Sequence, residues 1–178
     1  MSHTLTHTAH LIQGFVHYPA GGLEFPNAIA LHYNSGMPEY RYHDIVEARY
    51  SDLDPQWHVN NVRYLAFLEQ GRLKYLIQLG LWDGLDFNRL GMIVADIHIS
   101  YLEPMLFGQP VRLDLRVGKI GNKSLTFEYQ LVDQASERIL AKAESIMVAY
   151  DYNQQISIRV PDEWREKMAA FEGRDFDA

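Results

Sequence analysis

Asp52, Asp54, His58, Asn60 and Asn61 crowd into one short stretch, Ser51-Asp52-Leu53-Asp54-Pro55-Gln56-Trp57-His58-Val59-Asn60-Asn61. Carboxylates, an imidazole and amides are the groups that move protons and hold developing charge. An apolar helical pattern begins immediately behind them. They therefore stand at a helix N-terminus, where backbone N–H groups lack partners and negative charge is favoured. Chemistry that builds charge on an oxygen is well served there. Asp54 can act as a general base on water or attack directly to give an anhydride. Asp-Pro is also a common turn opening, which is the alternative reading of the same residue. His58 can polarise a carbonyl, orient Asp54, or be a satisfied histidine near the helix start. Asp52 reads as structural, bonding loop N–H groups or pairing with Arg49. Asn60 is placed to cap the helix, and Asn61 to bond the loop or a partner chain.

The elements that must hold this stretch follow from periodicity. His43–Ser51 reads as a strand. Asn61–Leu79 reads as a helix whose apolar residues (Val62, Leu65, Phe67, Leu68, Leu73, Tyr75, Leu76, Ile77) cover most of its circumference, so burial on all sides is expected. Gly71 within it costs about 1 kcal/mol relative to Ala, which close approach of another backbone would justify. Gly80 supplies a stop. Glu69 and Arg72, at i and i+3, can pair along the helix. Beyond it, Ala95, Ile97, Ile99 and Tyr101 alternate with polar residues. So do Val111, Leu113, Leu115 and Val117, and then Leu125, Phe127, Tyr129 and Leu131. Such alternation predicts antiparallel strands with one buried face. Arg138–Asp151 is a longer strand with Ala141, Ala143 and Ser145 on one parity, and Gln155–Val160 a weaker one. Pro161, Asp162 and Glu163 open a last helix that ends before Gly173. The order predicts an α+β fold: residues 1–40 an extension with little regular structure, 41–160 the main body, 161–178 a terminal helix and tail.

Composition narrows the function classes. The chain has 178 residues, 47% of them hydrophobic, enough for one domain with a substantial core. No apolar run is long enough to span a membrane, and residues 1–40 carry no Lys or Arg, so the basic flank of a secretory signal is missing. Zero cysteines exclude disulfides, thiolate metal sites and a cysteine nucleophile, and fit a reducing cytoplasm. A net charge of −7 argues against broad nucleic-acid binding. His3, His7 and His10 have helical spacing but read as a solvated terminus rather than a metal site. No metal or cofactor is expected, and the absence of a G-x-S-x-G elbow disfavours serine hydrolase chemistry.

Asp52-Leu53-Asp54, His58-Val59-Asn60-Asn61, Tyr64, Phe67-Leu68-Glu69 and Arg72 together resemble the hotdog-fold acyl-CoA thioesterases, on the 4-hydroxybenzoyl-CoA thioesterase side. Tyr101-Leu102-Glu103-Pro104 followed by Gly108 resembles a second segment of that branch, with Gln109 where Asp is frequent. The resemblance spans about 43–151. It implies a curved antiparallel sheet of five to six strands wrapped around a long central helix. It also implies a homodimer, often a dimer of dimers, with sites at the protomer interface. By resemblance, Asp54 is the catalytic carboxylate and backbone N–H groups of Val59, Asn60 and Asn61 form the oxyanion hole. Plant acyl-carrier-protein thioesterases share Asp-Leu-Asp and His-Val-Asn-Asn, but have Asn where this chain has Gln56 and Glu where it has Pro104. The simpler Asp-based chemistry is thereby favoured.

The implied reaction is hydrolysis of acyl-CoA thioesters, with the small-molecule thioester as partner. Trp57, Tyr64, Phe67 and Trp82 are candidates to line an acyl pocket, although aromatics at helical spacing usually form core. Arg112, Arg116, Lys119 and Lys123 are candidates for coenzyme A contacts, or simply a solvated sheet face. Two other readings are a non-catalytic acyl-CoA binding or sensing module and a hotdog hydratase or dehydratase. The latter is weak because its D-x-N-P-x-H string is missing.

Overall fold

In the computed structural model, residues 39–86, 88 and 91–176 are described. The expectations for residues 1–38, including His3, His7 and His10, lie outside them. The alternating segments form β1 (Tyr42–Val46), β2 (Met92–Tyr101), β3 (Val111–Ile120), β4 (Ser124–Asp133), β5 (Ile139–Asp151) and β6 (Ile156–Ser157). The helices are α1 (Asn61–Gln78) and α2 (Asp162–Glu172). The main path of the sheet runs β1-β3-β4-β5-β2, with β6 on β5, and every pairing is antiparallel. β3, β4 and β5 form a meander, while β1 and β2 close the two edges.

Alternation sets which face carries the core. Leu113 lies opposite Leu131, Leu115 opposite Tyr129 and Val117 opposite Phe127, all buried. This parity faces α1, because Leu113 lies directly beneath Gly71, where any added β-carbon would collide with it. The close approach at Gly71 is thus made by a side chain, not by the backbone that was expected there. The other parity carries Arg112, Asp114 and Arg116, bonded across the sheet to Gln130 and Glu128.

Three local expectations are corrected. The first strand ends at Val46, not Ser51. Its pairing with β3 runs out at Val111, beyond which lies Pro110, and the chain turns instead into a short 3-10 segment, Tyr50–Asp52. Burial of α1 on all sides does not hold: Tyr64, Leu68, Gly71, Arg72, Tyr75 and Leu76 are buried, but Val62, Leu65 and Ile77 are exposed. The helix lies against the sheet on one side only. Ala95 does not take part in the alternation of β2, because a bulge interrupts its register between Val94 and Asp96.

α2 begins after Pro161 and ends at Gly173, whose φ of 62° is the left-handed stop expected of glycine. It ties the fold together through Glu172. One oxygen of this buried carboxylate accepts the Tyr75 hydroxyl of α1 at 2.8 Å and the Val117 N–H of β3 at 3.0 Å. Burial raises the Glu172 pKa, opposed by those two bonds. It also pushes the Tyr75 hydroxyl far above the ordinary phenol value.

Candidate active site

The site stretch folds as a hairpin in front of α1. Leu53 and Val59 bridge in antiparallel fashion. Inside that bridge the Asp54 N–H donates to the His58 carbonyl at 2.9 Å, and the Trp57 N–H donates to the Asp54 carbonyl at 3.0 Å. Pro55, Gln56 and Trp57 make the three-residue loop, with Trp57 at φ 63°. The hairpin is anchored on both sides. The Val59 N–H donates to the Met105 carbonyl at 2.8 Å and the Asn60 N–H to the Asp52 carbonyl at 2.8 Å. Asp52, buried, accepts the Arg49 N–H at 2.8 Å, and its side-chain cation neighbour is Arg63, at 3.5 Å. That is the structural role expected of Asp52, with Arg63 in place of the Arg49 side chain.

Asp54 is half-buried. Its Oδ1 accepts the N–H of Gln56 at 2.8 Å and that of His58 at 3.3 Å. Its Oδ2 has no protein partner among the described residues. The recorded contact between His58 and Asp54 therefore runs through the backbone N–H, not the imidazole. Asp54 lines an open cavity of about 320 Å³ with Tyr50, Leu53, Pro55 and Trp57. Asn60 caps α1, its Oδ1 accepting the Val62 N–H at 3.0 Å. With the Val59 and Asn60 N–H groups committed, the N–H of Asn61 is the one of the three without a partner among the described residues. The Asn61 carbonyl takes the Tyr101 hydroxyl at 3.1 Å, from the end of β2.

The remaining candidates separate from this centre. Tyr64 is buried and does not line the cavity beside Asp54. Its hydroxyl accepts the Met105 N–H at 3.2 Å, and burial raises its pKa, opposed by that bond. Arg72 turns into the core to the Tyr129 hydroxyl at 3.1 Å, so the expected pairing with exposed Glu69 is not made. Arg112 is bonded to Asp114 and Glu137, Arg116 to Glu128, and Lys123 to Ser157. None of the three lines the Asp54 cavity. Among the described residues no group of three His, Asp or Glu side chains is arranged to hold a metal ion, and no helix is long and apolar enough to cross a membrane.

Two features escaped the sequence reading. Met105 latches the hairpin to α1, and only its position just after the Tyr101–Pro104 segment hinted at proximity. Tyr50 joins the cavity by an edge-to-face contact with Trp57, the ring centroids 6.4 Å apart.

Comparison with known proteins identifies the family and the fold. Residues 48–169 match the model of the thioesterase-like superfamily. The long-chain acyl-CoA thioesterase FadM of Escherichia coli is 25% identical over 123 residues, covering 69% of this chain and 93% of that protein. A thioesterase of Thermus thermophilus, solved in complex with coenzyme A and zinc, superposes with a TM-score of 0.68 at 28% identity, over 78% of this chain and 98% of that one. The PA5185 protein of Pseudomonas aeruginosa gives a TM-score of 0.66 at 29% identity, over 78% and 94%. The chain belongs to the thioesterase-like superfamily, and its antiparallel sheet with α1 on one face is the hotdog fold.

Proposed function

We propose that this protein is an acyl-CoA thioesterase that hydrolyses its substrate to free acid and coenzyme A, with Asp54 as the reacting carboxylate. The observation that carries the reading is the asymmetry of Asp54. One oxygen is pinned by two backbone N–H groups, while the other has no partner among the described residues and belongs to a residue that lines an open cavity. A carboxylate held this way loses little freedom in reacting, and positioning of that kind is worth roughly 10²–10⁴ in rate for a general base. Oδ2 either takes the proton of a water that attacks the carbonyl carbon and expels the coenzyme A thiolate, or itself attacks that carbon, breaking the C–S bond and expelling the thiolate, to give an anhydride that water then opens. Single turnover in ¹⁸O-labelled water separates the two: label enters the acid directly in the first case, whereas water opening the anhydride at the aspartyl carbon leaves the label in Asp54 and an unlabelled enzyme oxygen in the acid.

Asn61 is the assigned oxyanion donor. Its N–H stands at the positive end of α1, and with Val59 and Asn60 bonded it is the donor of that group without a partner among the described residues. Acyl-CoA is the substrate class because the relative from E. coli is an acyl-CoA thioesterase and the Thermus thioesterase holds coenzyme A. The test is release of free thiol from a panel of acyl-CoA esters. Turnover supports the reading; tight binding without turnover would favour a binding module instead.

A homodimer is part of the same proposal. β2 is an edge strand of 10 residues with exposed Val94 and Tyr101, and Val62 and Leu65 of α1 are exposed as well. A long edge of this kind is normally covered, and a second copy pairing β2 to β2 would cover it by symmetry. The lack of cysteine supports action in the cytoplasm.

A further inference from the structure

Trp57 occupies a backbone conformation that its own side chain opposes. The Asp54–His58 hairpin is a three-residue loop whose last loop residue must be left-handed, a position glycine fills without strain. Trp57 sits there at φ 63°. For an L-residue the β-carbon then crowds the following carbonyl oxygen, and for a bulky one the conformation is rare. Glu137 and Gln155 also have positive φ, but they are flexible polar residues in turns.

Folding does not compensate this strain by burying the indole. Trp57 remains 60% exposed, and its ring partner Tyr50 71% exposed. Their edge-to-face contact closes one side of the cavity that Leu53, Pro55 and Asp54 complete. An apolar wall, exposed to water and adjoining a carboxylate oxygen that has no partner among the described residues, gains its burial from a ligand rather than from the fold.

We infer that Trp57, with Tyr50, is the specificity-determining wall that binds the apolar acyl group of the thioester beside Asp54. The inference rests on the proposed thioesterase function and deepens it by assigning the acyl side of the substrate to this cavity. The indole contributes contact area that grows with acyl length until the wall is covered. A second copy of the chain seated on the same aromatics is the competing occupant, and the test separates the two.

The experiment compares wild type, Trp57→Gly and Trp57→Phe on an acyl-CoA series from acetyl to dodecanoyl, with thermal denaturation and sedimentation on the same samples. Wild type is expected to gain kcat/KM with acyl length. Trp57→Gly should flatten that gain, losing about ten- to a hundredfold on the longer esters, as removal of a large apolar contact implies, and little on acetyl-CoA. Its melting temperature should be unchanged or raised, because glycine relieves the left-handed strain. Trp57→Phe, which keeps an apolar ring, should retain most of the length dependence.

Equal loss on every ester would place Trp57 against the coenzyme A portion or in turn geometry, and would overturn the inference. So would unchanged kinetics, or a loss that tracks a change in oligomeric state. A wild-type protein inert toward the whole series would instead refute the thioesterase reading itself. An active wild type with an unaltered Trp57→Gly profile refutes only the acyl wall.

Discussion

The Tyr64 hydroxyl accepts the Met105 N–H at 3.2 Å, and the Met105 carbonyl accepts the Val59 N–H at 2.8 Å. This relay ties α1, the segment after β2 and the active-site hairpin into one unit. It is also why Val59 has no N–H to offer a substrate. Tyr64→Phe leaves the ring and removes the acceptor, stranding a buried donor at a cost of about 1–3 kcal/mol. The expected outcome is a melting temperature lower by several degrees and kcat/KM lower on the order of tenfold, since small misplacement of reacting groups is expensive in rate. Calorimetry and thiol-release kinetics on the same variant check both.

Gly71 and Leu113 define how closely α1 approaches the sheet. Alanine at 71 gains about 1 kcal/mol in helix propensity, yet its β-carbon meets the fully buried Leu113. Overpacking of this kind costs about 1–3 kcal/mol. Gly71→Ala should therefore be destabilising on balance in chemical denaturation. The double variant Gly71→Ala with Leu113→Ala should lose less than the sum of the two single losses, because the sites couple.

Glu172 makes stability depend on pH. Burial raises its folded-state pKa above the ordinary glutamate value of 4.5. A carboxyl group shifted upward favours the fold in its protonated form. Its contribution is thus fully present below pH 4.5 and is lost as pH rises through the raised folded value. Thermal denaturation between weakly acidic and neutral pH should show this decline for wild type and a smaller decline for Glu172→Gln, which keeps an acceptor oxygen for Tyr75 and Val117. Identical pH profiles for the two proteins would remove Glu172 as the source.

Covering the β2 edge by a second copy places Val94 in an interface that is repeated by symmetry. Val94→Glu would bury two like charges without partners. Sedimentation should give a dimer for wild type and a monomer for the variant. A monomeric wild type would contradict the pairing.

Much of this architecture was legible in the residues. Val111, Leu113, Leu115 and Val117 announced the inner face of β3 because a period of two has one meaning. Asn60, Gly71 and Gly80 marked the cap, the close approach and the stop of α1 through their own backbone chemistry. What was hidden depends on tertiary partners. Nothing in the sequence near Val59 or Asn60 shows that Met105 and the Asp52 carbonyl consume their N–H groups, leaving Asn61. The inward turn of Arg72 is decided by Tyr129, far along the chain. The left-handed Trp57 was invisible for a different reason: the residue type argues against the conformation that the three-residue loop imposes on it.

Replacement of Asp54 by Asn tests the account most directly. The amide keeps an acceptor oxygen for the Gln56 and His58 N–H groups, so the hairpin should persist and the melting temperature should stay near that of wild type. The reacting carboxylate is gone, and kcat/KM for thiol release from acyl-CoA should fall by about 10²–10⁴. A folded Asp54→Asn protein that turns over acyl-CoA at the wild-type rate would contradict the claim that Asp54 carries the chemistry.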